Sequence, residues 1–466
     1  MRALDQHPPM YSDFDVSEAP MALSSFPTVP GAWPVFGHLS HLHTSPLSFL
    51  RGLSQHGPVA VVRFANRPVL AVTQPQLVRR LLTGDQHRTE KGGSVFDVMA
   101  ETLGPDSLVT CPAAVHAQQR PLMQPAFSQE SLSRYASVMR DAAVKVTGSW
   151  RPGQTVQMET AAHRIAALAV SRTLVSAPGA AQAAAVLAKA LPDISRAMYW
   201  RSLAPGDWFA KLPVRVNRRY ERQMAIARSA IDRVAVHYRS AGIDHEDVLS
   251  MVIAMCEGEP DPHQAVYNQT LTMLFGGIET TAAALTWTLR LIDQHQKVVA
   301  RLQTELDEVL DGELPTHEDI SRLTYTQQVI TESLRLFPPA WVGTRMTTSP
   351  LEWEEEGISI PAGTELLFSP YALHRDAETF PRPDHFDPDR WAADRAGAAQ
   401  RQGFFAFSAG RRKCIGDTFA MNEVTLALAI ILSRWRLDHQ SNNPSDQPIP
   451  RLILGPPATP VVVQPR

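Results

Sequence analysis

Cys414 lies in a short segment whose other residues could hold its sulfur as a reactive thiolate. The segment runs from Phe407 to Gly416 (FSAGRRKCIG) and directly precedes an apolar stretch with helical spacing. The unpaired N–H groups and partial positive charge of a helix N-terminus stabilise a thiolate relative to a thiol. Gly410 and Gly416 permit a tight turn and the close approach of a flat ligand, and the three cations before Cys414 suit a ligand with carboxylates. From these residues alone, Cys414 is either a metal ligand or a nucleophile, although a single cysteine is most often a buried apolar residue.

Glu279 and Thr280 place an acid and a hydroxyl inside a long apolar stretch. A helix is predicted over residues 263–295, and Glu279 carries the one charge between residues 272 and 285. The pair Gly276–Gly277 precedes the acid; glycine weakens a helix by roughly 1 kcal/mol per residue, and a kink or local widening is expected there. Two interpretations remain open at this point. In the commoner one, the glycine pair lets another helix approach, and the threonine hydroxyl already has a hydrogen-bond partner. In the other, the acid and the hydroxyl form a proton-delivery site in apolar surroundings.

Two pairs of ionisable residues have the spacing of helical neighbours. Glu332 and Arg335 are three residues apart, and His116 and Arg120 are four apart. Each pair therefore shares one helix face. On an exposed helix such a pair contributes only a few tenths of a kcal/mol, so its meaning depends on the surroundings.

The composition is that of an enzyme with a large core. The chain has 466 residues, 44% hydrophobic and 20% charged, with a net charge of -3, which favours neither nucleic acid nor an anionic membrane as a partner. Three widely spaced cysteines, Cys111, Cys256 and Cys414, predict no disulfide framework and a reducing compartment.

The first 20 residues carry acids and prolines and no apolar run. They therefore predict neither a signal peptide nor a membrane anchor, and a cytoplasmic location is expected.

The N-terminal part of the chain is predicted to contain a tail and a β-hairpin. Residues 1–25 are expected to form a flexible tail because they have no periodic apolar pattern. Residues 59–72 are rich in β-branched side chains and predict a hairpin that turns near Asn66 and Arg67. The small β part of the protein is therefore expected near the N-terminus.

The remaining chain is predicted to be mainly helical. Helical patterns prevail from 128 to 255, with breaks at 176–179 and 203–213; the second break is either a plain surface loop or a mobile lid. No G-x-G-x-x-G segment follows a strand, so a dinucleotide-binding domain is not expected. Further helices are predicted at residues 324–336 and 419–432, and further strands at 344–346, 357–360 and 365–368.

The segment around Cys414 resembles the haem-binding signature of the cytochrome P-450 family, F-x-x-G-x-R-x-C-x-G. This resemblance implies that Cys414 is the axial ligand of the haem iron and that Arg412 pairs with a haem propionate. A thiolate ligand favours cleavage of the O–O bond, which is the chemical reason for a cysteine here. Ser408 replaces a glycine common in the family, and because serine is small we expect little consequence. The five fixed positions of the signature are filled by Phe407, Gly410, Arg412, Cys414 and Gly416.

The Gly276–Thr280 segment fits a second pattern of the family, [Ala/Gly]-Gly-x-[Asp/Glu]-Thr. The resemblance implies that Thr280 is the oxygen-activating threonine and that Glu279 relays protons. Loss of Thr280 is then expected to uncouple oxygen consumption from product formation.

Charged residues in other segments are similar to the family's supporting network. The E-x-x-R helix and a later loop imply a structural triad of Glu332, Arg335 and Arg390 that fixes the loop before the cysteine. The H-x-x-x-R helix and a later arginine imply haem contacts by His116, Arg120 and Arg345.

Residues 117–119 are Ala-Gln-Gln where relatives often carry arginines. The surface for an electron donor could then include Arg411 and Lys413, unless these are ordinary solvated charges.

The pocket that the resemblance implies is apolar and suits an apolar substrate of modest size. Residues 338–346 and 360–376 are similar to bacterial family members that oxidise terpenes. The candidate lining residues are Phe96, Leu108, Thr272, Phe275, Gly276, Ala340, Val342 and Gly343.

The resemblance spans residues 26–466 and implies one haem-thiolate monooxygenase domain, mainly α with a small β part, in the cytochrome P-450 fold. The implied cofactor is haem b. The implied reaction inserts one oxygen atom from O2 into an apolar small molecule, a terpenoid or another secondary metabolite. NAD(P)H would supply the electrons through a ferredoxin and ferredoxin reductase or a similar separate donor. The alternatives are an oxidase that desaturates, couples or rearranges its substrate, a haem sensor without catalysis, and a cysteine-nucleophile enzyme without haem.

Overall fold

Helices make up most of the molecule, which confirms the predicted fold class. The computed structural model describes residues 23–65, 67–174, 179–204, 208–241, 247–439 and 447–466. The helices are α1 Leu39–Thr44, α2 Pro46–Gly52, α3 Pro75–Thr83, α4 Ser94–Leu103, α5 Ala113–Met123, α6 Gln129–Thr147, α7 Met158–Thr173, α8 Ala180–Ser202, α9 Trp208–Lys211, α10 Arg215–Ala241, α11 Val248–Cys256, α12 Pro262–Asp293, α13 Gln296–Leu310, α14 His317–Ile320, α15 Thr324–Leu336, α16 Pro370–Leu373, α17 Ala398–Gly403 and α18 Asp417–Arg434. The strands are β1 Val59–Phe64, β2 Arg67–Val72, β3 Thr89–Glu90, β4 Gln154–Gln157, β5 Gly343–Thr347, β6 Leu351–Trp353, β7 Ile358–Ile360, β8 Glu365–Phe368, β9 Trp435–His439 and β10 Pro460–Pro465.

Parts of several predictions lie outside the described residues. Leu23–Ser25, the end of the predicted tail, form a short 3₁₀ turn, and α9 lies within the break predicted at 203–213. The predicted residues that lie outside are 1–22 of the tail, Asn66 of the hairpin turn, 176–178 of the first break and 205–207 of the second.

The predicted hairpin lies at one edge of the main sheet. β1 and β2 pair antiparallel, with Val59 opposite Val72 and Phe64 opposite Arg67. The strand order is β1-β2-β8-β5-β3, in which β8 runs parallel to β2. The expectation of a β part near the N-terminus is therefore incomplete, because β5 and β8 come from residues 343–368. The last four residues of β2 are all buried, so this strand needs a neighbour on its second edge.

The central helix α12 is continuous through its glycine pair. The glycine pair Gly276–Gly277 does not interrupt the hydrogen-bonded helix, which extends over all of Pro262–Asp293. A Cβ on Gly277 would lie 2.8 Å from Cγ2 of Val170 on α7, whereas Gly276 has open space beside it. Gly277 thus allows the close approach of α7, and this packing offsets the low helix propensity of glycine.

The helix α12 passes through the main hydrophobic core. It packs against α7, α8, α15 and α18, so the acid–threonine segment and the helix after Cys414 belong to one packed unit. α15 has the predicted bounds, and α18 begins two residues before the predicted start at 419. Within the described ranges, no helix has both the length and the apolar character that a membrane crossing requires.

Candidate functional site

Cys414 lies in the loop between a 3₁₀ turn, Gly410–Arg412, and α18. The N–H of Cys414 donates to the carbonyl oxygen of Phe407 at 2.9 Å and so closes the loop. Gly410 has a φ of +68°, and a Cβ on it would collide with the carbonyl oxygen of Leu82 on α3. A residue with a side chain would be strained by its backbone and blocked by that carbonyl. Glycine at this position therefore lets the loop lie directly against α3.

Ser408 is less neutral than expected. Its φ is +60°, in the left-handed region that L side chains rarely adopt. A non-glycine residue in that region costs roughly 1–2 kcal/mol. The expectation that a small side chain would have little consequence is therefore wrong for the backbone, because the strain comes from the Cβ atom and not from side-chain size.

The Cys414 thiol is accessible, yet the surrounding protein still penalises its charged form. Burial raises the pKa of the Cys414 thiol, and the backbone hydrogen bond from Gly416 and the charges of Arg120 and Lys91 offset only part of this effect. The helix start and the nearby cations favour the thiolate as expected, but desolvation outweighs them. A bound metal ion would supply the missing stabilisation, since a coordinating thiol is deprotonated outright.

Five basic side chains near this loop are linked by electrostatic interactions, in which His116 interacts with three of them and Lys91 also interacts with Arg345. They come from α5, β5, the cysteine segment and the loop after β3, and are His116, Arg120, Arg345, Arg412 and Lys91. Burial, then the charges of Arg412, Lys91 and Arg120, lower the pKa of His116 to about 3. Burial, then Arg345 and Arg412, lower the pKa of Lys91 well below its usual value. Such a concentration of positive charge suits an anionic ligand.

Lys91 was missed by the sequence analysis because only the sheet brings it to this cluster. β3 pairs with β5 so that Glu90 lies opposite Met346, the residue after Arg345. Lys91 follows Glu90 directly, and its Nζ donates to the carbonyl oxygen of Val109 at 2.9 Å. No motif marks this lysine, since its place depends on the pairing of two strands that are distant in sequence.

Backbone carbonyl oxygens orient two of the arginines. Nη2 of Arg412 donates to the carbonyl oxygen of Cys111 at 2.7 Å and lies 3.5 Å from the Glu90 carboxylate. Nη1 of Arg120 donates to the carbonyl oxygen of Lys413 at 2.6 Å. These contacts join α5 and the residues just before it to the chain that directly precedes Cys414.

The residues present fit a haem group. Cys414 is exposed and would supply its sulfur as a ligand to the haem iron. The basic cluster has the charge that two propionates need. On the packed neighbour α12, the half-exposed Thr280 and the open space beside Gly276 leave room for a small oxygen ligand or substrate.

Glu279 and Thr280 have different partners. The Thr280 hydroxyl donates to the carbonyl oxygen of Gly276 at 2.5 Å, and the residue is half-exposed. Glu279 is buried, with Oε2 3.1 Å from Nε2 of His163 on α7. Sequence reasoning missed His163, because a single histidine in an alanine-rich helix gives no signal of a partner 116 residues away.

The three residues of the predicted triad lie together. Glu332 and Arg335 are fully buried and form a bidentate pair, with Nε–Oε2 and Nη2–Oε1 distances of 2.8 Å. Nε of Arg390 lies 3.5 Å from Oε1 of Glu332, and the indole N–H of Trp391 donates to Oε2 at 2.9 Å. Arg335 also donates to the carbonyl oxygen of Pro383 at 2.7 Å. The network therefore fixes the chain between α16 and α17 onto α15.

His374 extends this network to the segment that carries the cysteine. Its Nδ1 donates to the carbonyl oxygen of Arg335 at 2.9 Å, and its Nε2 accepts the N–H of Phe405 at 2.7 Å. Its ring stacks on Phe404 with centroids 5.3 Å apart. Burial and the positive charge of Arg335 contribute to lowering the pKa of His374 to about 3, so the ring is neutral near pH 7. This residue was not identified from the sequence.

The predicted pocket residues come from segments that adjoin one another, with one exception. α4, which carries Phe96, packs against α12 and β5. The N–H of Leu108 donates to Oε1 of Gln269 on α12 at 3.1 Å. Val342 instead packs against a separate cluster that contains Trp341. Of the predicted set, Leu108, Thr272 and Phe275 are buried, Phe96, Val342 and Gly343 are half-buried, and Gly276 and Ala340 are accessible.

Comparison with known proteins gives consistent matches over almost the whole chain. A family model described as cytochrome P-450 matches residues 27–463. Cyclooctatin synthase of Streptomyces melanosporofaciens is 39% identical over 412 residues, covering 88% of this chain and 89% of the relative. Pentalenene oxygenase of Streptomyces avermitilis is 36% identical over 412 residues, covering 88% and 91%. Cyclooctat-9-en-7-ol 5-monooxygenase of Streptomyces melanosporofaciens is 39% identical over 414 residues, covering 88% and 89%.

Proposed function

Because this chain belongs to the cytochrome P-450 family and is a haem-dependent monooxygenase, we propose that its substrate is an apolar terpenoid. The observation that carries this proposal is the set of Streptomyces relatives that oxidise terpenoids and match nearly the full chain. The apolar character of Leu108 and Phe275, both buried, supports an apolar substrate.

The proposed reaction converts a C–H bond to C–OH and uses one O2, two electrons and two protons, with one water formed. The haem, held through the Cys414 thiolate, supplies the oxidising power. Arg120, Arg345 and Arg412 are proposed to bind the haem propionates together with Lys91 through their positive charge, and the neutral ring of His116 is proposed to donate a hydrogen bond.

Thr280 and Glu279 are proposed to handle the protons of the reaction. The Thr280 hydroxyl is half-exposed and held by the Gly276 carbonyl oxygen, which gives it a fixed position from which to donate. Glu279 is the adjacent acid and has a histidine partner. A positioned hydroxyl and acid of this kind contribute to proton transfer by general acid catalysis.

The proposed electron donor is an acidic ferredoxin that docks beside the cysteine loop. Arg411 and Lys413 flank this loop and are exposed, and a positive patch steers a negative partner. Lys413 is paired with Asp417 at 2.5 Å, so Arg411 is the stronger docking candidate. Gln119 is buried and bonded to Gln269, so its replacement of an arginine does not affect the surface.

The test uses purified holoenzyme with a panel of cyclic terpene hydrocarbons, fatty acids and aromatic compounds. We expect terpenes to shift the Soret band on binding and to give products that carry one oxygen from 18O2. Product without label, under conditions that prevent exchange with water, would establish the oxidase alternative. A Soret shift and turnover with fatty acids or aromatics alone would refute the terpenoid class. If the reduced carbon monoxide complex lacks the long-wavelength Soret band, the haem-thiolate assignment fails.

A further inference from the structure

His163 makes two contacts that fix where its protons lie. Its Nδ1 is 2.8 Å from the backbone carbonyl oxygen of Glu159, one helical turn earlier on α7. A carbonyl oxygen can only accept, so Nδ1 must carry hydrogen. Its Nε2 is 3.1 Å from Oε2 of Glu279 on α12.

The contact between Nε2 and Oε2 therefore needs a second proton. A neutral ring with hydrogen on Nδ1 presents a lone pair at Nε2, and an ionised carboxylate presents another lone pair. Two lone pairs would repel at this distance in a buried site, where His163 and Glu279 are 8% and 4% exposed. The contact is favourable with one proton between the atoms, as an imidazolium–carboxylate pair or as a neutral ring with a carboxylic acid.

The surroundings favour retention of that proton. Burial lowers the pKa of His163, but the hydrogen bond and charge of Glu279, followed by those of Glu159, raise the pKa above its ordinary value. Glu279 comes from α12 and Glu159 from α7 itself. Arg451 lies 3.5 Å from Glu159, and Glu423 is a further buried acid on α18, which also packs against α7.

The pair also lies between solvent and the proposed reaction site. The Glu159 side chain is 26% exposed, and its residue adjoins His163 on one helix face. On the other side, Glu279 is followed directly by Thr280. Along the two helices, the buried pair therefore has the partly exposed Glu159 as its neighbour on α7 and Thr280 as its neighbour on α12.

We propose that His163 is a positioning residue that keeps one proton in its contact with Glu279 for delivery toward Thr280. The inference rests on the proposed function, because it assigns the proton source of that reaction. One proton leaves the contact between Nε2 and Oε2 toward the threonine side, and one proton from solvent returns to the same contact, since Nδ1 already carries hydrogen. At alkaline pH the pair loses this proton, and delivery slows.

The test compares His163→Gln and His163→Phe with wild-type holoenzyme. Glutamine can still donate a hydrogen bond to Glu279 but does not titrate, whereas phenylalanine does neither. We expect both variants to lower coupled product formation about 10-fold, a part of the usual effect of acid–base groups, and to lose the alkaline limb of the wild-type pH profile. His295→Gln is the matched control, because His295 makes the same contact to a carbonyl oxygen four residues earlier, at 2.7 Å, but its other ring neighbour is the tilted ring of Phe386.

A glutamine variant with the wild-type rate and pH profile would overturn the proposal. Such a result would mean that a hydrogen bond to Glu279 is enough for activity and that a titrating histidine is not needed. Thermal unfolding against pH provides a readout that needs no turnover. The folded-state pKa of His163 is raised above 6.5, so its stabilising effect is full below that pH and is lost as pH rises through the folded value. We expect the wild-type Tm to fall more steeply over this range than the Tm of His163→Gln, and equal slopes would also overturn the proposal.

The two proposals fail in different ways. If wild-type holoenzyme oxidises no terpenoid, the substrate class is wrong, while the unfolding titration still decides whether the pair holds a proton. If terpenoids are oxidised and the variants match wild type in rate, pH profile and unfolding, only the role of His163 is wrong.

Discussion

Replacing His374 by leucine should loosen the cysteine segment without changing the thiol. The substitution removes the donor to the Arg335 carbonyl oxygen and the acceptor of the Phe405 N–H, two buried contacts of 2.9 and 2.7 Å. The Arg335 carbonyl lies in the last turn of α15, where no later helical N–H is available to it. Each buried backbone group left unsatisfied costs about 1–3 kcal/mol, so the expected loss is about 2–6 kcal/mol.

A loss of this size is large beside the 5–15 kcal/mol that typically separates folded from unfolded proteins. The measurement is urea unfolding of the holoenzyme at about pH 7.5, followed by far-UV circular dichroism and by the Soret band. We expect a lower midpoint and earlier loss of the Soret signal. His295→Leu is the control, because it removes one bond from a half-buried histidine. A free-energy change for His374→Leu below about 1 kcal/mol would refute the reasoning.

The same variant should alter the pH dependence of stability. The folded-state pKa of His374 is lowered from 6.5 to about 3, so its neutral form stabilises the fold above 6.5, and this contribution is lost as pH falls toward 3. Between pH 6.5 and about pH 5, wild type should lose about 2 kcal/mol from this residue, at 1.36 kcal/mol per pH unit. His374→Leu should lack that part of the acid sensitivity, and an unchanged slope would contradict the assignment.

Three further substitutions test other parts of the structure. Thr280→Ala should increase peroxide formed per NAD(P)H consumed with little change in substrate binding, whereas unchanged coupling would remove Thr280 from proton delivery. Burial raises the pKa of Glu365 from 4.5 to about 7, so its stabilising protonated form is lost as pH rises over that range. Glu365→Gln should therefore be more stable than wild type by up to about 3 kcal/mol at pH 8 and by little near pH 4.5. Urea unfolding at the two pH values measures this difference. Gly410→Ala should lower the yield of haem-loaded protein, read from the Soret-to-protein absorbance ratio, because the new Cβ meets the carbonyl oxygen of Leu82. Gly153→Ala is its control, since Gly153 also has a positive φ but open space, and equal losses in the two variants would point to backbone strain alone.

Local patterns determined the helical fold class and the boundaries of the strongest elements. The hairpin of residues 59–72 and the helix at 324–336 were predictable, since side-chain periodicity and chain breakers act over a few residues. The pairing of β2 with β8 was not, because it joins residues about 300 positions apart, and no local pattern specifies such a partner.

The sequence by itself determined which residue types stand at the site: a cysteine in its glycine-rich loop, an acid beside a threonine, and a glutamate–arginine pair at helical spacing. Only the tertiary structure decided what surrounds them. It placed Lys91 in the basic cluster, His163 on Glu279 and His374 between Arg335 and Phe405. It also set the balance of effects on the Cys414 pKa, because desolvation depends on the surrounding protein, whereas motif spacing records only neighbours along the chain.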